Sequence, residues 1–213
     1  MSAGPLPAEV LDRLAGLDVP VRWVRGNADR EVVAHFDRGD TDHSLYGTDA
    51  PAERADAFTA ARITRAHRDL MAGFEELVHL DGALYCHGSP RSDDEIITAL
   101  TPSERLEPML AGVDEALVVC GHTHHQFELR AGEQRVVNAG SVGMPYEGKA
   151  GAYWLLVARG EPAMRRTEYD VEAAARALRA SRFPDVDDLI RESLVEPVEA
   201  AFVAQHFEGR VGT

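Results

Sequence analysis

Short apolar runs that end at a glycine followed by histidine or asparagine constrain this chain more than any other feature. The clearest run, residues 117–120, leads directly into Gly121, His122, Thr123 and His124. A buried strand that stops at a glycine presents the next side chains at the edge of its sheet. Side chains two apart in an extended loop point the same way, so both imidazoles are predicted to reach one metal ion. The alternative is a polar turn with two solvated histidines, since short motifs also occur by chance.

The same arrangement recurs at two earlier places in the chain. Residues 18–24 have strand character and lead into Gly26-Asn27, and residues 83–86 lead into His87-Gly88. Strand ends at one edge of a sheet converge, and α/β proteins bind ligands at such edges. Four side chains of metal-ligating type therefore follow short apolar runs, which predicts one shared site: Asn27, His87, His122 and His124.

Length and composition fit one globular domain, with or without an appended segment. The 213 residues can bury a sizeable core, and 45% of them are hydrophobic. The net charge of −14 leaves no basic face for a phosphate backbone, so nucleic acid is not expected as a partner. A membrane is not expected either, because no apolar run reaches a membrane span and no signal pattern opens the chain. Cys86 and Cys120 are expected to be buried free thiols, and the expected location is cytoplasmic.

Periodicity and turn residues predict an alternation of helices and strands. Helices are predicted over residues 8–17, 51–74, 93–100 and 102–110, and over most of 171–206. Asp81-Gly82 and residues 131–133 are predicted to close two β-hairpins, at 76–86 and at 126–138. Residues 153–157 and 163–169 complete an antiparallel set, and residues 30–49 have the pattern of an irregular acidic segment.

Four motifs in this order resemble those of the calcineurin-like metallophosphoesterase superfamily, and look closest to its small bacterial phosphodiesterase branch. They are Gly26-Asn27-Ala28-Asp29, His87-Gly88, Gly121-His122-Thr123-His124 and Asn138-Ala139-Gly140-Ser141-Val142-Gly143. The resemblance implies an α/β fold, a four-layer αββα sandwich of two mixed β-sheets with a dinuclear metal site at one sheet edge. It covers roughly residues 5–170, so we expect a metallophosphoesterase core over 1–170 and a C-terminal helical extension over 171–213.

The resemblance also implies roles for the four ligand-type residues. Asn27, His87 and His122 correspond to ligands of the second metal of the family, and His124 corresponds to a ligand of the first. In the family, a hydroxide held by the two metals attacks phosphorus in line while the ions absorb the developing charge.

Further residues of the motifs correspond to supporting positions. Asp29 would support the ligands from behind, and the turn that contains Asn138 and Ser141 would form the floor of the site. Two residues stay open. Arg25 could contact phosphate or form a surface salt bridge, and His125 could contact substrate or face solvent.

Two departures from the family pattern limit the expected chemistry. Ala28 stands where the family usually has a histidine that assists the phosphate oxygens or the leaving group. The Asp-x-His and Gly-Asp motifs that should precede Gly26 are absent, and the simplest explanation is that the chain begins late and is N-terminally truncated. We therefore expect at most one weakly held divalent ion and poor catalysis. Mn²⁺ is the first expectation, with Fe, Zn, Ni or Mg as alternatives.

The predicted function is a metal-dependent phosphoester hydrolase, a phosphodiesterase or phosphatase, that acts on a small phosphoester substrate. The alternative from a different class is a non-catalytic relative that binds one metal ion, a phosphorylated ligand or a protein partner. A purely structural zinc site is disfavoured, because such sites are closed by four residues and prefer cysteine. Formation of a homo-oligomer stays open.

Overall fold

Two β-sheets and the helices packed around them form this protein in a computed structural model, which describes residues 4–39 and 50–211. The strands are β1 (Val78–Leu80), β2 (Ala83–Tyr85), β3 (Leu117–Cys120), β4 (Gln126–Ala131), β5 (Gln134–Ala139), β6 (Ala152–Ala158) and β7 (Glu161–Thr167). Within the described residues the first sheet has the order β1-β2-β3-β5-β4, with parallel central strands and antiparallel edge strands. The second sheet is the antiparallel pair β6-β7. The predicted α/β class is confirmed, although this second sheet is antiparallel and not mixed.

The helices precede, interrupt and follow the strands. They are α1 (Pro7–Ala15), α2 (Asn27–Arg38), α3 (Pro51–Ala60), α4 (Arg65–Ala72), α5 (Ser103–Met109), α6 (Val171–Ser181), α7 (Val186–Ile190) and α8 (Ala200–Glu208). A π-helical turn, Arg191–Val195, continues α7. Leu11, Val32 and Met71 form a core between α1, α2 and α4. No helix in 4–39 or 50–211 is both long and apolar enough to cross a bilayer.

Two helices predicted from the sequence differ from what the structure shows. The predicted helix over residues 51–74 is two helices, α3 and α4, because Thr64 caps the second one. The Thr64 hydroxyl accepts the amide N–H of His67 at 3.2 Å, and the His67 ring accepts that of Thr64 at the same distance. The predicted helix over residues 93–100 is wrong. There the amide N–H of Thr98 donates to Oγ1 of Thr101 at 2.8 Å, a side-chain bond that competes with helical hydrogen bonding.

The segment before α3 also differs from the expectation. Of the predicted strand over residues 18–24, Val24 alone pairs among the described residues, in a parallel bridge with Glu75. Residues 30–38 are helical and not irregular, because they continue α2 until Gly39 ends it with a left-handed φ of 73°. Residues 40–49, the rest of the predicted acidic segment, lie outside the described residues.

Side chains of the central strands alternate between two cores. Leu84, Val118 and Val136 face a core that also contains Leu106 and Met109 of α5. The neighbours on the same strands face β6, in a cluster of Ala83, Leu117, Val119 and Val137 with Leu155 and Val157. This is the pattern of strands buried on both faces. Because β2, β3 and β5 run parallel, their carboxyl ends meet at one edge of the sheet.

The residues after 170 contact the rest of the protein near both of their ends. The ring of Phe183 meets that of Phe58 on α3 edge-to-face, with centroids 5.0 Å apart. At the other end, a carboxylate oxygen of Glu208 accepts a hydrogen bond from Thr98 at 2.6 Å, and the other oxygen pairs with Arg105 at 2.6 Å. These contacts tie the segment to α3 and to α5. The division of the chain at residue 170 stays a prediction.

Candidate metal centre

Asn27 is the first residue of α2 and follows the Val24 bridge closely in the chain. Gly26 is the N-cap of the helix, and its amide N–H donates to Oδ2 of Asp29 at 2.7 Å. Asp29 is 3% exposed, so its carboxylate makes this hydrogen bond in the protein interior. An acidic side chain in the first turn also interacts favourably with the helix dipole. Asp29 thus holds the turn that positions Asn27.

His87 follows β2 and contacts the first residue of α2. Its Nε2 lies 3.0 Å from Oδ1 of Asn27. A Cβ at Gly26 would approach Cε1 of the His87 ring to 2.9 Å, so a larger residue there would displace the ring. Gly88 is equally confined, because its Cβ would lie 2.7 Å from the backbone oxygen of Ser92. Glycine therefore permits the close approach of the His87 ring at position 26 and of a backbone segment at position 88.

His122 and His124 follow β3 in a tight turn, and not in the extended conformation that the sequence suggested. Their φ angles are +64° and +60°, in the left-handed region. The amide N–H of Thr123 donates to the carbonyl of Gly121 at 2.7 Å, which closes a γ-turn around His122. Such strained backbone is concentrated at functional sites. The His122 ring lies against His87, with ring centroids 5.2 Å apart.

The His124 ring contacts a different neighbour from the His122 ring. It stacks on Tyr146, with centroids 5.6 Å apart and 25° between the ring planes. Nδ1 of His124 is buried and has no hydrogen-bond partner within the described part of the chain. Buried polar atoms are rarely left unpaired, and a neutral imidazole is a common metal ligand. This nitrogen is thus an available donor beside the cluster.

Asn138, at the end of β5, supports the histidine turn from below. It is fully buried, and its Nδ2 donates to the carbonyl of Gly121 at 2.5 Å and to Oγ1 of Thr123 at 3.1 Å. Its Oδ1 accepts the amide N–H two residues further along the chain at 2.9 Å. Ser141 stabilises the following loop, because its Oγ accepts the amide N–H three residues later at 3.0 Å.

Burial keeps the imidazoles of this cluster neutral at pH 7. It lowers the pKa of His87 and that of His124 to about 4, and the neighbouring His122 contributes to both. Burial likewise lowers the pKa of His122, opposed by the charge of Asp94 and by a hydrogen bond with its backbone. A neutral imidazole has the lone pair that a metal needs, and a backbone bond to its ring fixes the orientation.

Arg25 and His125, which the sequence left open, both make internal contacts. Arg25 pairs with Glu76 at 2.7 Å, and its Nε lies 3.9 Å from Asp93. His125 is 1% exposed, with Nδ1 3.0 Å from the carbonyl of Thr123. Its Nε2 lies 3.5 Å from a second backbone nitrogen. The alternative that His125 faces solvent is wrong, because its side chain is buried, whereas its contact with a substrate stays a prediction.

Most of the chain matches the model of a known protein family. A family model described as the calcineurin-like phosphoesterase superfamily domain matches residues 2–160, most of the chain. The chain belongs to the calcineurin-like phosphoesterase superfamily. The matched region contains the whole cluster, from Arg25 to Tyr146. The comparison with curated proteins found no match.

Two solved structures share the fold of this chain. A metallophosphoesterase from Sphaerobacter thermophilus superposes with a TM-score of 0.73 and 21% sequence identity, over 92% of this chain and 84% of that one. A hypothetical protein from Pyrococcus horikoshii OT3 superposes with a TM-score of 0.71 and 17% identity, over 92% of this chain and 81% of that one. At these identities the likeness establishes the fold alone.

The donor atoms of this chain form one group that could hold a single divalent ion. Asn27, His87 and His122 bring one amide oxygen and two imidazoles into one cluster, with the unpaired nitrogen of His124 beside it. In the described residues no three His, Cys, Asp or Glu side chains converge closely enough to enclose an ion. No Asp or Glu carboxylate of the described residues therefore joins His87 and His122 in a group that could hold an ion. Nitrogen and amide-oxygen donors suit Mn, Fe, Ni and Zn ions.

Proposed function

We propose that this phosphoesterase binds one divalent ion, preferentially Mn²⁺, and hydrolyses small phosphodiesters or phosphomonoesters slowly. The superfamily to which it belongs is generally one of metal-dependent phosphoester hydrolases. The observation that carries the proposal is the cluster of Asn27, His87 and His122, with the 3.0 Å contact between Asn27 and His87. His124 supplies a neighbouring donor atom in this proposal.

The residues of the cluster would hold the ion and keep its surroundings fixed. A bound ion supplies positive charge that polarises a phosphoryl oxygen and offsets the charge that develops during displacement. The chain itself provides neutral imidazoles, a rigid helix start at Asn27, and the γ-turn that carries His122. This arrangement orients the donors before the substrate arrives, which reduces the reorganisation that the reaction requires.

The residue at position 28 bears on the choice of substrate. Ala28 has no proton to donate, so that position provides no acid for a leaving group. Substrates whose leaving group is already a weak base are therefore expected to react fastest. Small phosphoesters also fit the net charge of −14 better than a polyanion such as nucleic acid does. A cytoplasmic location and the oligomeric state stay predictions.

A specific observation favours a second candidate function. Within residues 4–39 and 50–211, no carboxylate joins the two imidazoles, and two-metal catalysis in phosphatases depends on a pair of ions. A chain with this donor set can bind one ion or a phosphorylated ligand without turning it over. The second candidate is therefore a non-catalytic member of the superfamily.

Hydrolysis of bis(4-nitrophenyl) phosphate by the purified chain separates the two functions. With added Mn²⁺, the hydrolase proposal predicts turnover that saturates with the ion and is lost in His87→Ala and His122→Ala. His79→Ala is the matched control, because His79 is exposed and pairs with Glu115 away from the cluster. Metal binding without turnover above that of free Mn²⁺ would establish the non-catalytic function.

A further inference from the structure

Tyr146 is a residue of the site that the sequence motifs did not single out. Its ring stacks on the His124 imidazole, and its amide N–H donates to the His124 carbonyl at 3.0 Å. His124 has a left-handed φ of +60°, which is costly for a residue other than glycine and persists only where its surroundings hold it. One residue thus contacts both the strained peptide and the ring of His124.

The loop around Tyr146 is fixed by its next two residues. The carboxylate of Glu147 accepts the amide N–H of Gln126 at 2.5 Å, which ties the loop to the start of β4. The amide N–H of Gly148 donates to the carbonyl of Val198 at 2.9 Å, which ties it to the C-terminal helical segment. The position of Tyr146 is therefore fixed by the sheet on one side and by the C-terminal segment on the other.

Both the backbone angle at Gly148 and its contact with the C-terminal segment favour glycine. Gly148 has a φ of +65°, and a Cβ there would lie 2.4 Å from a carboxylate oxygen of Glu199. In the same segment the amide N–H of Val198 donates to the carbonyl of Glu192 at 3.1 Å. Glu192 lies near enough to Tyr146 for its charge, added to burial, to raise the pKa of the phenol. Residues 192–199 form a C-terminal strap, which thus lies against the Tyr146 loop.

We propose that Tyr146 is a positioning residue for His124 and that the C-terminal strap sets the position of Tyr146 through Gly148. The consequence for metal binding rests on the proposed function, in which the neighbouring nitrogen of His124 is a further donor to the ion. Loss of a residue that orients a metal-binding histidine lowers metal affinity by about 10- to 100-fold. The strap lies outside residues 2–160, the part that matches the superfamily, so this support is additional to the family motifs.

The first test compares Mn²⁺ affinity, by isothermal titration calorimetry, in the full chain and in substituted chains. Tyr146→Phe keeps the ring and the backbone bond, so its Kd should stay within about twofold of wild type. Tyr146→Ala removes the ring and should raise the Kd by about tenfold or more. Gly148→Ala changes no residue of the cluster itself and should raise the Kd as well, because it displaces the Tyr146 loop. Tyr169→Ala is the matched control, because Tyr169 is an exposed tyrosine that follows β7 in the sequence.

The second test measures the His124 ring directly, by ¹⁵N NMR of the imidazole in metal-free protein. Wild type and Tyr146→Phe should show one ordered ring state with one tautomer, whereas Tyr146→Ala should show exchange broadening. If wild type binds no Mn²⁺, the proposed function fails while this measurement still decides the inference. Unchanged Kd and unchanged ring signals in Tyr146→Ala would overturn the inference and leave the function intact. Tyr146→Leu, which keeps apolar volume, replaces the alanine variant if that one does not fold.

Discussion

Asp56 on α3 gives the most quantitative test of the structure. Its side chain is 7% exposed, and burial, followed by the charges of Glu31 and Asp29, raises its pKa from 3.8 to about 7. The native protein therefore keeps a proton on Asp56 over a pH range in which the unfolded chain has released it. Asp29 also holds the turn that positions Asn27. The Asp56 carboxylate therefore lies close to a residue that supports the site.

The sign and size of the effect follow from proton linkage. Between pH 4 and 7 the native state binds more protons than the unfolded state, so stability falls as the pH rises, and the loss is complete above pH 7. A shift of about 3 pH units corresponds to about 4 kcal/mol, and relaxation and solvent access reduce this to about 2 kcal/mol. Asp56→Asn keeps the shape and removes the charge. We expect it to add about 2 kcal/mol to the free energy of unfolding at pH 8 and almost nothing near pH 3.5.

Urea denaturation followed by circular dichroism at both pH values measures this effect. At pH 8 the melting temperature should also rise by about 4–8 °C. The matched control is Asp69→Asn on the neighbouring helix α4, where the side chain is about half exposed and the change should stay below about 0.5 kcal/mol. A loss of stability in Asp56→Asn at pH 8, or an equal gain at both pH values, would refute the reasoning.

Three further substitutions test the supports of the cluster and of the C-terminal segment, each by urea denaturation. Gly26→Ala places a methyl group 2.9 Å from the His87 ring and should cost about 1–3 kcal/mol. Asn138→Ala removes a fully buried amide that makes three hydrogen bonds to the turn and its neighbour, and should cost about 2–4 kcal/mol. Glu208→Ala leaves a half-buried Arg105 without its carboxylate and should cost about 1–2 kcal/mol, with faster proteolysis of the C-terminus.

Matched controls separate these effects from general sensitivity to substitution. Gly143→Ala adds a methyl group with nothing within 4 Å, and Glu107→Ala truncates an exposed glutamate on α5. Both should change stability by less than about 0.5 kcal/mol. Equal losses in the test variants and in these controls would show that the close contacts are not the cause.

Local turn chemistry made parts of the fold predictable from the sequence. Asp81-Gly82 has φ angles of 52° and 78°, and joins β1 and β2 by the two-residue turn that Asp-Gly favours. Residues 18–24 show the limit of such reasoning, since a strand also needs a neighbour and Val24 alone is paired among the described residues. Side-chain bonds to the backbone at Thr98 likewise override the helical pattern of residues 93–100.

The candidate site was predictable only where strand order determines it. His87 and His122 follow adjacent parallel strands, so their proximity could be inferred from the apolar runs before them. The left-handed φ angles of the histidine turn have no local signal, because neither residue is glycine. Tyr146 is placed by contacts with residues about fifty positions later, which no spacing pattern encodes. The ligand roles themselves stay a prediction.

The central claim, one divalent ion held by Asn27, His87 and His122, is tested most directly by the stoichiometry of Mn²⁺ binding. Electron paramagnetic resonance of the purified full chain, titrated with Mn²⁺, counts bound and free ions independently of activity. We predict one bound ion per chain, lost in His87→Ala and in His122→Ala and retained in His79→Ala. Two bound ions per chain, no binding at all, or one ion that survives both substitutions would contradict the claim.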